Sequence, residues 1–281
     1  MPESANRDSA RNAEALTPIV TGKRNSKRVS CLLRLEAVVP HRRGKELDTM
    51  SIQSSPTRKN AIVVGTLYIV ASVAGVLAAF VFVGPVMNAP DYLASMAANA
   101  ERVAAGALLE VVMAVAVAGI AIWLYPVLNK RGGALALSYV ALRVLEAVTL
   151  LVFPFVLLLQ LTVSQEMAGA TASEAAMLGT MGTVLLSLND WASLLGATII
   201  FSTGALVLNY MLYRARLVPR FISIWGLVGA ALYLAAGLAG LSGVIDMSVV
   251  ETCSVPIAVN EIVLAVWLIV KGFNPAAFAE G

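Results

Sequence analysis

The stretch AIVVGTLYIVASVAGVLAAFVFV, Ala61–Val83, runs for 23 residues without a charged side chain. At a rise of about 1.5 Å per residue, about twenty helical residues cross a hydrocarbon core roughly 30 Å thick, so the segment is long enough to span a membrane. Five more apolar stretches of spanning length follow, at 103–125, 134–159, 191–213, 221–243 and 254–270, the last being the shortest. Backbone groups in lipid must be hydrogen-bonded within the segment, which makes each stretch a helix, and the short alternating segments of a membrane β-barrel do not occur. The fold class that follows is all-α: a polytopic membrane bundle of six transmembrane helices. Composition agrees, with 59% hydrophobic residues against 13% charged in a chain of 281.

The connections between these stretches are asymmetric in charge. With a cytoplasmic N-terminus, the inner segments hold Arg58, Lys59, Lys130, Arg131, Arg214, Arg216, Arg220 and Lys271, and the outer ones hold only Arg102. The positive-inside bias therefore puts the N and C termini in the cytoplasm, and an odd number of spans would move Lys271 to the wrong side. Trp123, Tyr125, Tyr213, Trp225 and Trp267 fall near inner ends and Trp191 near an outer end, where interfacial anchors belong.

Charge also divides the chain along its length. Residues 1–59 carry twelve Lys/Arg and six Asp/Glu while the rest carry eight and eleven, so the formal +3 combines a basic start with a slightly acidic body. Residues 1–57 are expected to be a disordered basic extension, too poor in apolar surface to offset ordering entropy. Residues 58–273 form the membrane domain and 274–281 a short tail. The apolar patch Cys31–Pro40 is interrupted by Arg34 and Glu36 and fits neither a signal peptide nor a span. Residues 1–49 also read as an overlong gene start, with Met50 as the alternative. A basic arm touching anionic lipid or nucleic acid is the functional reading of this region, which the lack of aromatics between the charges weakens, and no nucleic-acid partner is expected.

One outer connection, 160–190, is long. Thr171-Ala172-Ser173-Glu174 has capping-box spacing, and residues 175–188 are apolar enough for a short helix on the outer surface. Joined to the fourth span it would run for about 60 Å, so a break is expected near Asn189-Asp190, with Asp190 as N-cap.

The chemistry open to the chain is narrow. One histidine (His41) and two distant cysteines (Cys31, Cys253) supply no His/Cys metal site, disulfide framework or histidine triad within the membrane region, and no cofactor is implied. Gly240-Leu241-Ser242-Gly243 has the form of the rhomboid protease motif but lacks any membrane histidine. Asp91, Asp190 and Asp246 all fall at or beyond membrane edges, which removes an intramembrane aspartyl pair. No Walker or dinucleotide fingerprint is present. The chain is not expected to be an enzyme.

What is left is a set of ionisable groups inside spans: Glu110, Arg143, Glu146, and Glu261 preceded by Asn260. A charge at the bilayer centre costs about 2.5–3.5 kcal/mol, so each of these should face the bundle interior and have a partner. Arg143 and Glu146, at i and i+3, share a helical face and can neutralise each other, equally well as a structural ion pair or as part of a site. Glu110 and Glu261 are expected at matching depth, roughly 10 Å below the outer ends of their helices, with Glu146 deeper. One arginine for three carboxylates leaves at least one of them to be protonated, hydrated or bound to a cation. An outward-opening cavity binding or passing a small solute, proton or cation is the sharper reading; separate structural hydrogen bonds are the plainer one. Small-residue faces in the fifth helix, including Gly226, Gly229, Gly237 and Gly240, indicate close packing within the bundle or between protomers of a homo-oligomer. A non-transporting sensor or scaffold acting through helix packing is the competing class.

From Arg58 to Phe273 the chain resembles the bacterial family known as domain of unknown function 4386, six-helix integral membrane proteins. The resemblance rests on Arg58-Lys59-Asn60-Ala61 with its Gly-rich first span, on Leu142-Arg143-Val144-Leu145-Glu146-Ala147, on Leu212-Tyr213-Arg214-Ala215-Arg216-Leu217-Val218-Pro219-Arg220, and on Asn260-Glu261-Ile262 leading to Lys271-Gly272-Phe273. It implies a multi-pass protein of the bacterial cytoplasmic membrane and supplies no activity or cofactor. The long N-terminal extension departs from the family pattern.

Overall fold

The computed structural model describes residues 56–278. The N-terminal extension, its Cys31–Pro40 patch, the Met50 start and the last residues of the tail lie outside the described residues. Among the described residues every regular element is helical, and six helical segments are long and apolar enough to cross a membrane.

In chain order, α1 is Thr57–Met87, α2 Tyr92–Ala98, α3 Ala100–Asn129, α4 Gly133–Leu150 and α5 Val152–Met167. Then come α6, Ala172–Arg214, α7 Arg220–Leu241, α8 Met247–Thr252 and α9 Val255–Val270. The third span is the pair α4–α5, Gly133–Met167. It is interrupted at Leu151, where Pro154 offers no N–H to the carbonyl of Leu150 and so removes one rung of the helical ladder. The short α2 begins at Asp91, whose Oδ1 accepts from the backbone N–H of Ala94 at 3.1 Å, a helix N-cap.

Each spanning helix packs on its neighbour in sequence, α1 on α3, α3 on α4, α4 on α6, α6 on α7 and α7 on α9; α9 then returns to α1. The bundle is thus a closed ring of six. The closure has a specific fastening. Arg58 donates from Nη1 to the carbonyl of Leu268 at 3.0 Å and from Nη2 to the carbonyl of Ile269 at 2.7 Å. These are carbonyls of the last turn of α9, left without intrahelical partners.

The two ends of the ring differ. At the end carrying Arg58, Lys130, Arg214 and Lys271, hereafter the basic end, the interior is solid: Val64, Ile120, Leu124, Leu208, Leu212, Leu264 and Leu268 all belong to one buried cluster. Toward the far end the interior opens into a cavity.

Three sequence expectations are corrected here. The expected break at Asn189-Asp190 does not occur; α6 is continuous over 43 residues, about 65 Å of helical rise. Asp190 is consequently an exposed mid-helix residue and not an N-cap. The expected short helix on the outer surface is the first half of this same helix, packed along α5. The bilayer limits only the part of a helix that lies in lipid, and the first half of α6 has α5 as its packing partner. The capping box at its start is present, the N–H of Thr171 donating to Glu174 Oε2 at 2.8 Å. Downstream, Ser193–Ile200 is wound as a π-helix.

Candidate functional site

Arg143 organises the interior. Its position on α4 faces the axis of the ring, and its side chain is buried, 1% exposed. The guanidinium donates from Nη1 to both carboxylate oxygens of Glu146, at 3.0 and 3.1 Å. From Nη2 it donates to Glu261 Oε1 at 2.9 Å and to the hydroxyl of Tyr68 at 3.2 Å. Nε donates to the hydroxyl of Tyr139 at 3.3 Å. All three guanidinium nitrogens are therefore engaged, the condition under which a charge can be held away from water. The faces of the group are covered too: its central carbon lies 5.3 Å from the ring centroid of Phe201, 5.7 Å from that of Tyr68 and 5.8 Å from that of Tyr139, within the range of cation–π attraction.

The three helices that meet here, α1, α4 and α9, are joined by this one side chain. Glu146 is buried at 4% exposure and its carboxylate has Arg143 as its partner. Glu261 differs: its side chain is 21% exposed and only Oε1 is engaged by Arg143. Glu261 also lines the cavity.

That cavity has a volume of about 350 Å³ and is lined by all six spans, a size typical of ligand sites. Arg143, Glu146 and Glu261 form its floor. Its walls are mostly apolar, with Phe153 from α5, Phe201 from α6 and Tyr233 from α7, and Glu110 stands on the α3 side. Oε2 of Glu110 is buried without a hydrogen-bond partner among the described residues. A buried carboxylate oxygen in that condition is costly unless something cationic or hydrogen-bearing meets it.

The expected matching depth of Glu110 and Glu261 is corrected. Glu261 lies at the floor, in contact with Arg143, whereas Glu110 makes no contact with that cluster and lines the cavity from α3. The last span begins further out, at Met247 in α8, than its apolar stretch 254–270 indicates. The four ionisable residues still line one cavity. Asn260 and Asp190 do not line it. Asn260 faces away, buried, and donates from Nδ2 to the carbonyl of Ile222 at 2.8 Å, tying α9 to α7. Asp190 is on the exposed surface of α6.

Two further features line the cavity. Among the described residues the π-helical turns are Leu77–Val83 in α1 and Ser193–Ile200 in α6; Ala79 from the first and Ala197 from the second are part of the wall. A π turn adds a residue to the helical circuit and is frequent at functional sites. Each is held from outside: Arg102 donates to the carbonyl of Val81 in the first, and Gly196 in the second approaches Thr149 so closely that a Cβ would collide with it. The hydroxyls of Tyr68 and Tyr139 were not among the sequence candidates. A tyrosine well inside a span, away from the interfacial belt, is the signal that marks them.

The glycines of α7 are turned inward. A Cβ on Gly226 would strike the side chain of Asn209, one on Gly229 would lie 3.1 Å from the backbone of Ile257, and one on Gly237 2.6 Å from Thr198. They serve the packing of α7 on α6 and α9 within one chain.

No curated protein and no solved structure matches the chain. Residues 63–272 match the family model described as "Domain of unknown function (DUF4386)", a span that takes in α1 from its second turn, the Arg143 cluster and the end of α9. The protein is therefore a multi-pass membrane protein of the DUF4386 family.

Proposed function

We propose that this protein binds a small organic cation in the cavity above Arg143, in exchange for a proton. One observation carries the reading: a single guanidinium faces three carboxylates around one apolar-walled space. Arg143 balances one of them. The remaining negative charge sits on the two groups that have an oxygen available, Glu110 and Glu261. In a low-dielectric space such a charge is neutralised either by a proton or by a bound cation, and the two compete. Aromatic walls suit an alkyl-substituted ammonium ion, which presents both charge and apolar surface. Among the described residues no group of His, Cys, Asp and Glu is arranged to hold a metal ion.

In this reading Glu110 meets the ligand first and Glu261 holds it against the floor. Arg143 keeps Glu146 ionised and fixes Glu261 in position. The solid core beneath makes the site a blind cavity in this conformation, so passage would require the Arg143 cluster to open. We further place the basic end in the cytoplasm of a bacterial inner membrane, which turns the cavity outward.

The test is binding of tetraethylammonium to the purified full chain by calorimetry at several pH values. Affinity should rise with pH, because the cation needs a deprotonated carboxylate, and binding should release protons. Glu110→Gln and Glu261→Gln should each weaken binding about tenfold, the loss of one charge-assisted contact. Wild-type affinity in both variants, or no binding at any pH, would refute the proposal.

A further inference from the structure

A second cavity lies at the basic end, between the α6–α7 connection and the segment after α9. Its volume is about 540 Å³, and Arg216, Arg220 and Lys271 line it together with Trp267 and Phe273; no Asp or Glu does so among the described residues. Three cations around one space, with no acid beside them, repel one another unless an anion is present.

Basic residues at the end of a membrane bundle are expected on topological grounds alone. Arg216 goes further than topology requires. Its φ of +50° puts it in the left-handed region, the only such non-glycine residue among those described. It occupies the C′ position of a Schellman motif: the N–H of Leu217 donates to the carbonyl of Leu212 at 3.2 Å, and that of Arg216 to the carbonyl of Tyr213 at 3.3 Å. The same motif ends α7, where Val244 N–H donates to Ala239 and Gly243 N–H to Gly240. There the left-handed residue is Gly243, with φ +70°, the residue type this position favours. A side chain at that conformation carries a backbone cost of about 1 kcal/mol or more, and residues held in such conformations cluster at ligand clamps.

The surroundings keep the arginine in place. Asn274 donates its backbone N–H to the carbonyl of Leu217 at 2.8 Å and its Nδ2 to the carbonyl of Arg216 at 3.2 Å, so the segment after α9 is clasped to the connection. The Arg220 guanidinium stacks 5.4 Å from the ring centroid of Tyr213. Neither Arg216 nor Lys271 has an ion-pair partner among the described residues.

We infer that this cavity is a binding site for a phosphate-bearing anion, with Arg216, Arg220 and Lys271 as the phosphate ligands and Trp267 and Phe273 as the apolar wall. Basic pockets between spanning helices are the physical form of a lipid-headgroup site, and Arg groups match phosphate oxygens in a forked geometry. The chemistry is the same whether the phosphate belongs to a lipid or is dissolved.

Two measurements on the full chain in neutral detergent separate these sources. Native mass spectrometry with added phosphatidylglycerol or phosphatidylcholine reads lipid retention, and thermal unfolding with added inorganic phosphate or pyrophosphate reads the soluble anion. A lipid site retains phosphatidylglycerol about fivefold better than phosphatidylcholine; a soluble-anion site leaves the lipids equal and raises the melting temperature with phosphate or pyrophosphate. Either preference should vanish in Arg216→Gly and Arg220→Gln and persist in Lys130→Gln, which removes a charge from the same end but outside the cavity. Arg216→Gly should raise the melting temperature without ligand, since it relieves the backbone, which separates lost binding from lost folding. No preference for either anion in the wild type, or equal loss in Lys130→Gln, would overturn the inference.

Discussion

Arg143 Nη2 and Glu261 Oε1 are 2.9 Å apart across 118 residues of sequence. The same guanidinium holds Glu146 three residues along its own helix. Local neutralisation and long-range assembly thus depend on one side chain, and the two partners are unequal. Removing Arg143 strands a buried carboxylate, whereas neutralising Glu261 leaves the arginine with Glu146, Tyr68 and Tyr139.

Arg143→Gln should therefore lower stability by about 3–5 kcal/mol, the usual result of breaking a buried pair from one side. Glu261→Gln should cost about 1 kcal/mol. Unfolding in mixed detergent micelles measures both, and the double variant Arg143→Gln/Glu146→Gln should recover part of the first loss. Equal losses in the two single variants would mean that the cluster is not organised around the arginine.

The contact between α1 and α9 depends on a missing Cβ. One added to Gly65 would lie 2.6 Å from the backbone carbonyl oxygen of Ala265 and 2.7 Å from Ile269 Cγ1. Gly65→Ala should separate these helices and cost about 1–3 kcal/mol, as overpacking does. Gly119→Ala makes a useful contrast, because the new methyl would meet only the mobile end of Leu67 at 3.1 Å. Its cost should stay below about 1 kcal/mol, and the same micelle unfolding assay ranks the pair.

Arg58→Gln should loosen the last turn of α9, whose carbonyls at Leu268 and Ile269 the guanidinium engages. Amide hydrogen exchange from Trp267 to Gly272 should quicken about tenfold, corresponding to loss of about 1.4 kcal/mol of local stability. Arg58→Lys should fall between, since an ammonium keeps the charge near the helix C-terminus but not the fork that reaches three carbonyls.

The six spans were legible because lipid imposes a simple rule: a span must be apolar and must satisfy its own backbone, and six stretches obey it. The inward placement of Arg143 and Glu146 was legible for the same reason, as charges seek the interior. The partner of Arg143 on α9 was not, because helix pairing across 118 residues depends on tilt and closure that hydropathy does not encode. The continuity of α6 was missed because the reading treated bilayer thickness as a limit on helix length. Nor could sequence place the π turns: Leu77–Val83 and Ser193–Ile200 have the composition of ordinary apolar helix, and the contacts made there by Arg102 and Thr149 come from neighbouring helices.

The Arg58 clasp sets an order of events during synthesis. Arg58 bonds with residues as far as 212 positions later, at Val270. At about 5–20 residues per second, roughly 10–40 s separate the emergence of the arginine from that of its acceptors. Through that interval the contact of α1 with the last turn of α9 is still to be made. A chain stopped before α9 is complete lacks the carbonyls of Leu268, Ile269 and Val270 that Arg58 engages in the finished molecule.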